Sequence, residues 1–374
     1  MDPALIEEFK KRGVVVVPGV LSAEEVLSVR EGFQEYLFEA SGFDASSAER
    51  LGETAASLGQ LSSTGGAGGI LDIFWADFKM PVLEHAGVVA AFSALWQATF
   101  ASGQREHFEH DYGAFDASQP VAAVDRVCFR LPDALSAAAG TSSKKGDIPL
   151  QRHLAPHLDC CPHSALGPDT PSSGTAAAKW RPVQAFVSLV DTGPEQGGFE
   201  CCPSLHREFH QWAASRPPSI SVSKSSGKVK EMPPPCLGAF TPMRPKEDAD
   251  VLARFESVPC QAGDLVLWDN RLPHANSRCH SGAAPREVVY VGLLPPVPQN
   301  LQYATDQLQR LRTGRLPADF WHGKGRPQEQ RCKAYRFSQL GRRLLRMPPD
   351  DAPDETAAAG SAGVRCRRLE LLRL

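Results

Sequence analysis

The feature that most constrains the fold of this chain is a series of short apolar runs in its second half. The runs are β-branched or alternate in polarity, and Gly, Pro and Asp separate them. They read VAAVDRVCFRL, VQAFVSLVD, GDLVLWD and REVVYVGLL. Runs of this length and spacing are typical of strands in a sandwich or a barrel. The sequence therefore predicts a mainly β protein with flanking helices.

Helical patterns precede this β region. Residues 4–12 have helical periodicity, and Ser22 with Glu25 three residues later forms a capping-box signature for a second helix. The run GVVVVPGVL between them predicts a strand that Pro-Gly ends. Residues 81–100 predict a further helix, whereas residues 41–70, rich in Ser, Gly and Ala, predict a flexible loop.

These segments predict one domain over residues 1–346 and a flexible tail over residues 347–374. The expected parts of the domain are an N-terminal helical layer (1–120), a β core (121–295) with an insertion loop (213–250), and a basic C-terminal helical cover (296–346). The insertion loop is rich in Pro, Ser and Lys, and its position would let it act as a lid over a site.

Composition narrows the class of partner. The net charge is −3, so there is no bulk electrostatic reason to expect nucleic acid or an anionic membrane. No apolar run reaches the roughly 18 residues of a membrane span, and the N-terminus does not resemble a signal peptide. We therefore expect a cytoplasmic protein, with a peroxisomal location left open by the terminal ELLRL.

The ten cysteines form no CxxC motif, which favours reduced thiols over a zinc site. Two adjacent pairs occur, Cys160-Cys161 and Cys201-Cys202. We interpret them as small buried hydrophobic residues rather than oxidation-sensitive or metal-touching groups.

The stretch RHLAPHLDCCPHSAL contains a candidate pair of metal ligands, His157 and Asp159. On an extended strand, side chains two residues apart share a face, with Cα atoms about 6.6 Å apart. The pair can therefore converge on one small cation, although a strand-end salt bridge would give the same pattern. His153 and His163 have less suitable spacing, and we do not predict that they are ligands.

A candidate third ligand lies far along the chain. His274 follows the predicted strand LVLWD, and Arg286 begins the next strand, REVVYVGLL. Two imidazoles and one carboxylate form the facial triad of non-haem iron(II) oxygenases, which leaves three metal positions open for a co-substrate and O2. A guanidinium fork is suited to bidentate capture of a carboxylate.

These motifs together resemble one family. The segments FKKRGVVVVPGVLSAEEV, HLD, GGFECCPSLH and LPHANS, followed by an arginine, are similar to those of the phytanoyl-CoA dioxygenase family, a branch of the Fe(II)/2-oxoglutarate oxygenases. The resemblance covers roughly residues 5–40 and 120–295. It implies a double-stranded β-helix, a cupin-like jelly roll, that uses Fe(II), 2-oxoglutarate and O2, with ascorbate helpful in vitro.

The resemblance also implies roles for individual residues. His157, Asp159 and His274 match the iron ligands. Arg286 matches the arginine that binds the far carboxylate of 2-oxoglutarate. Asn276 departs from the family, which often has a hydroxyl-bearing residue there that also touches the co-substrate, but an amide can donate the same hydrogen bond.

Other residues near these motifs have two interpretations each. Trp180 either walls the co-substrate pocket or is a core residue, and Arg130 either holds an acidic substrate group or is a solvated strand residue. Arg278 competes with Arg286 for the co-substrate. Asp269 and Arg271 are interpreted as a pair that orients His274. The remaining histidines, predicted to be turn or surface residues, are His206, His210 and His280.

The expected function is hydroxylation of an unactivated C–H bond in a small organic substrate, with release of succinate and CO2. An intact Asp159 disfavours halogenation, because halogenating relatives replace this carboxylate with a small residue. Two alternatives remain at this point: a metal-binding cupin that is not an oxygenase, and a catalytically silent regulatory domain. The identity of the substrate and the oligomeric state do not follow from the sequence.

Overall fold

A computed structural model describes most of the chain. The described residues are 1–143, 146–148, 150–151, 153–160, 162, 179–215, 219–222, 229–232, 241–317 and 335–348. The predictions for Cys161 and His163, for most of the insertion loop and for residues 349–374 of the tail therefore lie outside the described residues, as does the stretch 318–334 of the helical cover.

Six antiparallel strands form the larger sheet, here called the major sheet. Its strands are β1 (Val14–Val17), β2 (Ile70–Leu71), β3 (Val121–Arg130), β7 (Val183–Ser188), β13 (Leu265–Asp269) and β15 (Arg286–Leu294). Their spatial order is β1-β13-β7-β15-β3-β2. The four runs that predicted strands all lie in this sheet, and the predicted strand VVVV is its edge.

Five shorter strands form a second antiparallel sheet, here called the minor sheet. They are β6 (His157–Leu158), β8 (Phe199–Cys201), β11 (Thr241–Pro242), β12 (Glu256–Ser257) and β14 (His274–Asn276), in the order β11-β6-β14-β8-β12. Two separate hairpins are β4–β5 (Thr141–Ser143 and Gly146–Ile148) and β9–β10 (Ser219–Val222 and Val229–Met232). The predicted insertion loop thus contains paired strands.

Helices occupy the N-terminal part, the connections and the C-terminal part. The α-helices are α1 (Pro3–Arg12), α2 (Ala23–Ser41), α3 (Ala48–Thr54), α4 (Met80–Leu83), α5 (Ala86–Ala98), α6 (Asp133–Ala138), α7 (Phe209–Ser215), α8 (Ala249–Leu252), α9 (Pro298–Arg312) and α10 (Gln339–Leu344). Short 3-10 helices span Ala55–Leu61, Ala67–Gly69, Asp77–Lys79, Phe100–Ser102 and Leu205–Arg207. Among the described residues, no helix combines the length and apolarity needed to cross a membrane.

The sequence signals for the first two helices are confirmed, but that for residues 41–70 is wrong. Ser22 and Glu25 form the reciprocal capping box at the start of α2. In contrast, the stretch predicted as a flexible loop contains α3 and two 3-10 helices. Leu58 and other apolar side chains of this stretch are buried against the core, so tertiary packing outweighs the weak helical preference of its Ser and Gly residues.

Two hydrophobic cores explain why strands such as β1 and β13 carry apolar residues on both faces. Val15, Leu265 and Leu267 pack in a core shared with the helices, here called the helix-side core. Their neighbours Val14 and Val266 point the other way, into a core between the two sheets, here called the inter-sheet core. Since both faces of β1 and β13 are covered, polar residues have no exposed face to occupy.

Candidate metal centre

His157, Asp159 and His274 come together at the minor sheet. β6 and β14 are neighbours, and His157 lies opposite His274 in the register. The Nε2 atoms of His157 and His274 lie 3.5 and 3.6 Å from the carboxylate oxygens of Asp159. One ligand atom from each of the three residues lies within 4.8 Å of the other two. A single ion with bonds of about 2 Å fits among atoms spaced in this way.

Backbone carbonyls fix the tautomer of both rings. Nδ1 of His157 lies 2.9 Å from the carbonyl oxygen of Ala155, and Nδ1 of His274 lies 3.0 Å from that of Leu272. A carbonyl only accepts hydrogen bonds, so each Nδ1 donates a proton to it. Each Nε2 therefore presents its lone pair towards Asp159, which is the form that binds a metal.

The electrostatics keep two of these side chains in their metal-binding protonation states. Burial, with a smaller contribution from His274, lowers the pKa of His157 to about 4. Burial alone would raise the pKa of Asp159, but its histidine neighbours and the guanidinium of Arg181 hold it well below its ordinary value. At neutral pH, His157 is therefore neutral and Asp159 is ionised.

Arg181 was missed in the sequence. Its Nη2 lies 3.6 Å from Oδ2 of Asp159, and its Nη1 lies 3.4 Å from Oδ2 of Asp125. The residue immediately precedes Pro182 and the strand β7, a position that carries no motif. Only the folded arrangement brings it to the carboxylate of the triad.

Arg286 and Asn276 form a second polar group beside the triad. Nη1 of Arg286 donates to Oδ1 of Asn276 at 3.0 Å, and Nδ2 of Asn276 donates to the carbonyl of Gly68 at 2.7 Å. Arg286 is 1% exposed, and its Nε and Nη2 find no hydrogen-bond partner within the described chain. Buried donors without partners are costly, so this guanidinium is prepared for an anionic ligand.

Aromatic rings connect the two polar groups. The ring of Phe199 lies 5.7 Å from that of His274 and 5.7 Å from that of Phe186. The guanidinium of Arg286 lies over Phe186, 5.3 Å from its centre. The triad and Arg286 thus share one apolar wall, a suitable setting for an ordered ligand screened from water.

The guanidinium of Arg130 is occupied by backbone groups. It donates to the carbonyl of Gly197 at 3.1 Å, to that of Arg278 at 3.2 Å, and to that of Ser277. Arg130 is 2% exposed, so the interpretation as a solvated strand residue is wrong. These bonds tie the segment after β14 to the turn before β8.

Trp180, offered as a wall of the co-substrate pocket, lies in an aromatic cluster. Its ring contacts Phe100, His110, Tyr112 and Phe115, none of which belongs to the triad or to the pair Arg286–Asn276. The core interpretation describes this position better. Arg278, the competitor of Arg286, is exposed.

The pair Asp269–Arg271 forms as predicted but does not hold His274. Nε and Nη2 of Arg271 donate to the two oxygens of Asp269 at 2.8 and 2.7 Å. Nδ1 of His274 is instead held by the backbone of Leu272, because the strand places that carbonyl within reach. The prediction that this pair orients His274 is therefore wrong. The charges of Asp269 and Arg271 instead neutralise each other inside the core.

The other histidines and the cysteines lie outside the triad. His153 and His210 are exposed, whereas His206 and His280 are buried, so the prediction of turn or surface positions holds only in part. Cys160, Cys201 and Cys202 are buried free thiols. Burial raises the pKa of Cys201 and raises that of Cys202 to about 11, so both stay protonated. This agrees with the interpretation as small hydrophobic residues.

Several solved structures share this fold at low sequence identity. GlcNAc Inducible Gene 2 from Candida albicans matches with a TM-score of 0.63 and 15% identity, over 95% of this chain and 78% of that chain. The hypothetical protein JW0805 from Escherichia coli matches at 0.59 and 18%, over 93% and 82%. A proposed oxidoreductase from Salmonella typhimurium LT2 matches at 0.61 and 18%, over 92% and 82%. At these identities the likeness shows the fold and not the activity.

A family model described as Gig2-like matches residues 166–347, just under half of the chain. No curated protein matches significantly. The predicted resemblance to the phytanoyl-CoA dioxygenase family is therefore wrong. The motifs that suggested it, an HxD pair, a distal histidine and an arginine, follow from metal and carboxylate chemistry and do not separate one family from another.

Proposed function

We propose that this protein is an Fe(II)- and 2-oxoglutarate-dependent oxygenase that hydroxylates a small organic substrate with release of succinate and CO2. The observation that carries the proposal is the buried guanidinium of Arg286, whose Nε and Nη2 have no partner among the described residues. Its Nη1 donates to Asn276, two residues after the ligand His274. Two free donors on one planar guanidinium suit a carboxylate of a second ligand.

Each residue has a distinct task in the proposed reaction. His157, Asp159 and His274 would hold Fe(II) from one side and leave the opposite positions open. Bound Fe(II) would supply the oxidising chemistry with 2-oxoglutarate and O2. Arg286 would bind the far carboxylate of 2-oxoglutarate through its two free nitrogens, and Asn276 would keep the guanidinium in the correct plane.

The architecture supports the same proposal. Two antiparallel sheets face each other across the inter-sheet core, with the triad on the minor sheet and Arg286 on the major sheet. We propose that these sheets form a double-stranded β-helix and that residues 1–346 form one domain. A proposed oxidoreductase shares the fold, which is compatible with an enzyme acting on a small molecule.

The proposal is tested by anaerobic titration with Fe(II) and 2-oxoglutarate, followed by the visible absorption band of the complex. Wild type should show the band, and Arg286→Met should lose most of it while binding Mn(II) normally. Arg278→Met is the matched control, because it removes the same charge from an exposed position of the same segment. We expect it to behave like wild type.

The free energy of unfolding without metal separates loss of binding from loss of fold. Arg286→Met should change it little, because removal of two unpaired buried donors offsets loss of the hydrogen bond from Nη1 to Asn276. Metal binding without any 2-oxoglutarate band in wild type would reject the oxygenase and favour a different metal-binding function. No metal binding at all would reject the metal centre itself.

A further inference from the structure

Two residues of β3 are displaced at an irregularity of the major sheet. The pairing of β3 with β15 changes register on either side of Tyr290. On β3, both Asp125 and Arg126 oppose that single residue. Such a β-bulge aims consecutive side chains to one face, and bulges occur often beside active sites.

Alternation along β3 shows which face receives Arg126. Val127 and Phe129 belong to the helix-side core, whereas Cys128 belongs to the inter-sheet core. Two residues before Cys128, Arg126 continues the second series. It therefore lies on the face that carries Arg286, which contacts Cys128 through Nη1 at 3.4 Å.

A chain of ion pairs joins Arg126 to the triad, since Arg126 pairs with Asp125, Asp125 with Arg181, and Arg181 with Asp159. Burial lowers the pKa of Arg126, but nearby carboxylates, first Asp125 and also Asp159, raise it above its ordinary value. In return, Arg126 is one of the charges that lower the pKa of His157. Yet its side chain is 42% exposed. A partly exposed guanidinium that is joined to the triad through Asp125 and Arg181 is available to a second ligand at the site.

The carboxylates of Asp125 and Asp159 balance the charges of Arg126 and Arg181, but they leave the Nη atoms of Arg126 without a partner in the described chain. Asp125 is shared by two guanidinium groups, since Oδ1 lies 3.6 Å from Nε of Arg126 and Oδ2 lies 3.4 Å from Nη1 of Arg181. Arg181 also pairs with Asp159 and is only 10% exposed. Within the described chain, the guanidinium of Arg126 makes this one ion pair and no hydrogen bond, so solvent and ligands can reach it.

A buried lysine fixes the bulge. Lys79 is 2% exposed, and its ammonium donates to the carbonyl of Asp125. It also donates to the carbonyls of Ile73 and Phe74 at 2.8 and 3.2 Å. The backbone under Arg126 is therefore held by the core, and the arginine is presented from a rigid element.

We propose that Arg126 is a specificity-determining residue that binds an anionic group, a carboxylate or a phosphate, on the substrate. This inference rests on the proposed function, since it assigns Arg286 to 2-oxoglutarate and leaves Arg126 for the second ligand. The two arginines occupy different depths of the same face, one buried and one exposed. A neutral, purely apolar substrate would leave the Nη donors of Arg126 without a partner.

The first arm of the test uses protein without added metal or 2-oxoglutarate. Benzoate, phenyl phosphate and neutral benzamide are titrated by ligand-observed NMR against wild type, Arg126→Met and Arg126→Gln. We expect the two anions to bind wild type and both variants to bind them about tenfold more weakly, the loss typical of one charge-assisted contact. Arg105→Met, which removes the same charge from an exposed turn, should bind them like wild type. The anion that binds wild type more tightly identifies the substrate group as a carboxylate or a phosphate.

The second arm separates this inference from the proposed function. With Fe(II) and 2-oxoglutarate under anaerobic conditions, Arg126→Met should form the absorption band with unchanged 2-oxoglutarate affinity. Equal loss of that affinity in Arg126→Met and Arg286→Met would assign Arg126 to the co-substrate and overturn the inference. Equal anion binding in Arg126→Met, Arg126→Gln and wild type would overturn it as well. Absence of the band in wild type would reject the proposed function and leave the anion titration to decide on Arg126 alone.

Discussion

At the scale of single residues, His206 shows how burial makes stability depend on pH. The residue is 2% exposed, its Nε2 lies 3.1 Å from the carbonyl oxygen of Lys10, and its Nδ1 has no hydrogen-bond partner in the described chain. Burial is the main reason why the pKa of His206 falls to about 4, although Asp269 opposes the shift. A neutral ring packed against Phe108 is therefore part of the fold.

The depressed pKa of His206 predicts a loss of stability as the pH falls. Between the unfolded pKa of about 6.5 and the folded pKa of about 4, the unfolded chain binds more protons, so acid favours unfolding. From pH 7 to pH 5 this residue alone should cost about 2 kcal/mol. The substitution His206→Gln keeps a hydrogen-bond donor for the carbonyl of Lys10. Between pH 7 and pH 5, its free energy of unfolding in urea should fall by about 2 kcal/mol less than that of wild type. An equal loss in both proteins would contradict the assignment.

The residues of the site differ in how visible they are in the sequence. His157 and Asp159 were predicted as a pair from their spacing on an extended strand, and they do meet, although β6 ends at Leu158 and Asp159 lies in the bend that follows. His274 was predicted from the ligand set that an iron(II) centre requires, whereas the role of Arg286 came only from the resemblance of the surrounding motifs to a known family. Arg181 was not predicted, because its contact with Asp159 joins two separate segments of the sequence and follows no spacing rule.

At the scale of elements, the turn before β8 is built around the side chain of Arg130. Gly197 in this turn has φ of +64°, and a Cβ added there would lie 2.7 Å from Cζ of Arg130. The same guanidinium donates to carbonyls of Ser277 and Arg278, directly after β14. The side chain of Arg130 therefore links the turn before β8 to the segment after β14, the strand that carries His274. A displacement of the arginine should move both.

Gly197→Ala should therefore weaken metal binding as well as the fold. The new methyl group must displace the guanidinium, which releases the segment after β14 and loosens His274. Gly113→Ala is the matched control: its φ is +74°, but a Cβ there meets nothing within 4 Å. We expect the control to lose about 1 kcal/mol of unfolding free energy from backbone strain alone, with unchanged Mn(II) affinity. Gly197→Ala should lose clearly more in urea and bind Mn(II) more weakly, and equal effects of the two changes would refute this account.

Element prediction from the sequence depended on length and on capping. α1 and α2 could be placed because their start signals and periodicity agree, and the strands of the major sheet because they are long enough to show a pattern. Strands of two or three residues, such as β6 and β14, carry too few positions for periodicity. The bulge at Arg126 could not be predicted either, because it depends on the partner strand.

At the scale of the whole molecule, the candidate site depends on the closure of one sheet over the other. His157 and His274 belong to the minor sheet and Asp159 directly follows β6, whereas Arg286 and Arg126 belong to the major sheet. Phe186 from the major sheet and Phe199 from the minor sheet pack against each other between these groups. The distances that define the site therefore exist only when both sheets are in place, and a bound ion should report on the folding of the whole molecule.

This dependence predicts that Mn(II), a redox-stable substitute for Fe(II), stabilises the protein against unfolding. His157 and Asp159 lie far from His274 in the sequence, so the unfolded chain does not bring the three ligands together. At a free concentration about 100 times its dissociation constant, Mn(II) should raise the unfolding free energy by about 2.7 kcal/mol. His274→Ala should abolish this increase in thermal and urea unfolding. His153→Ala, which removes an exposed imidazole close to the same strand, should retain it. An increase that persists in His274→Ala would mean that the ion binds elsewhere, and the triad would then have to be rejected as the metal centre.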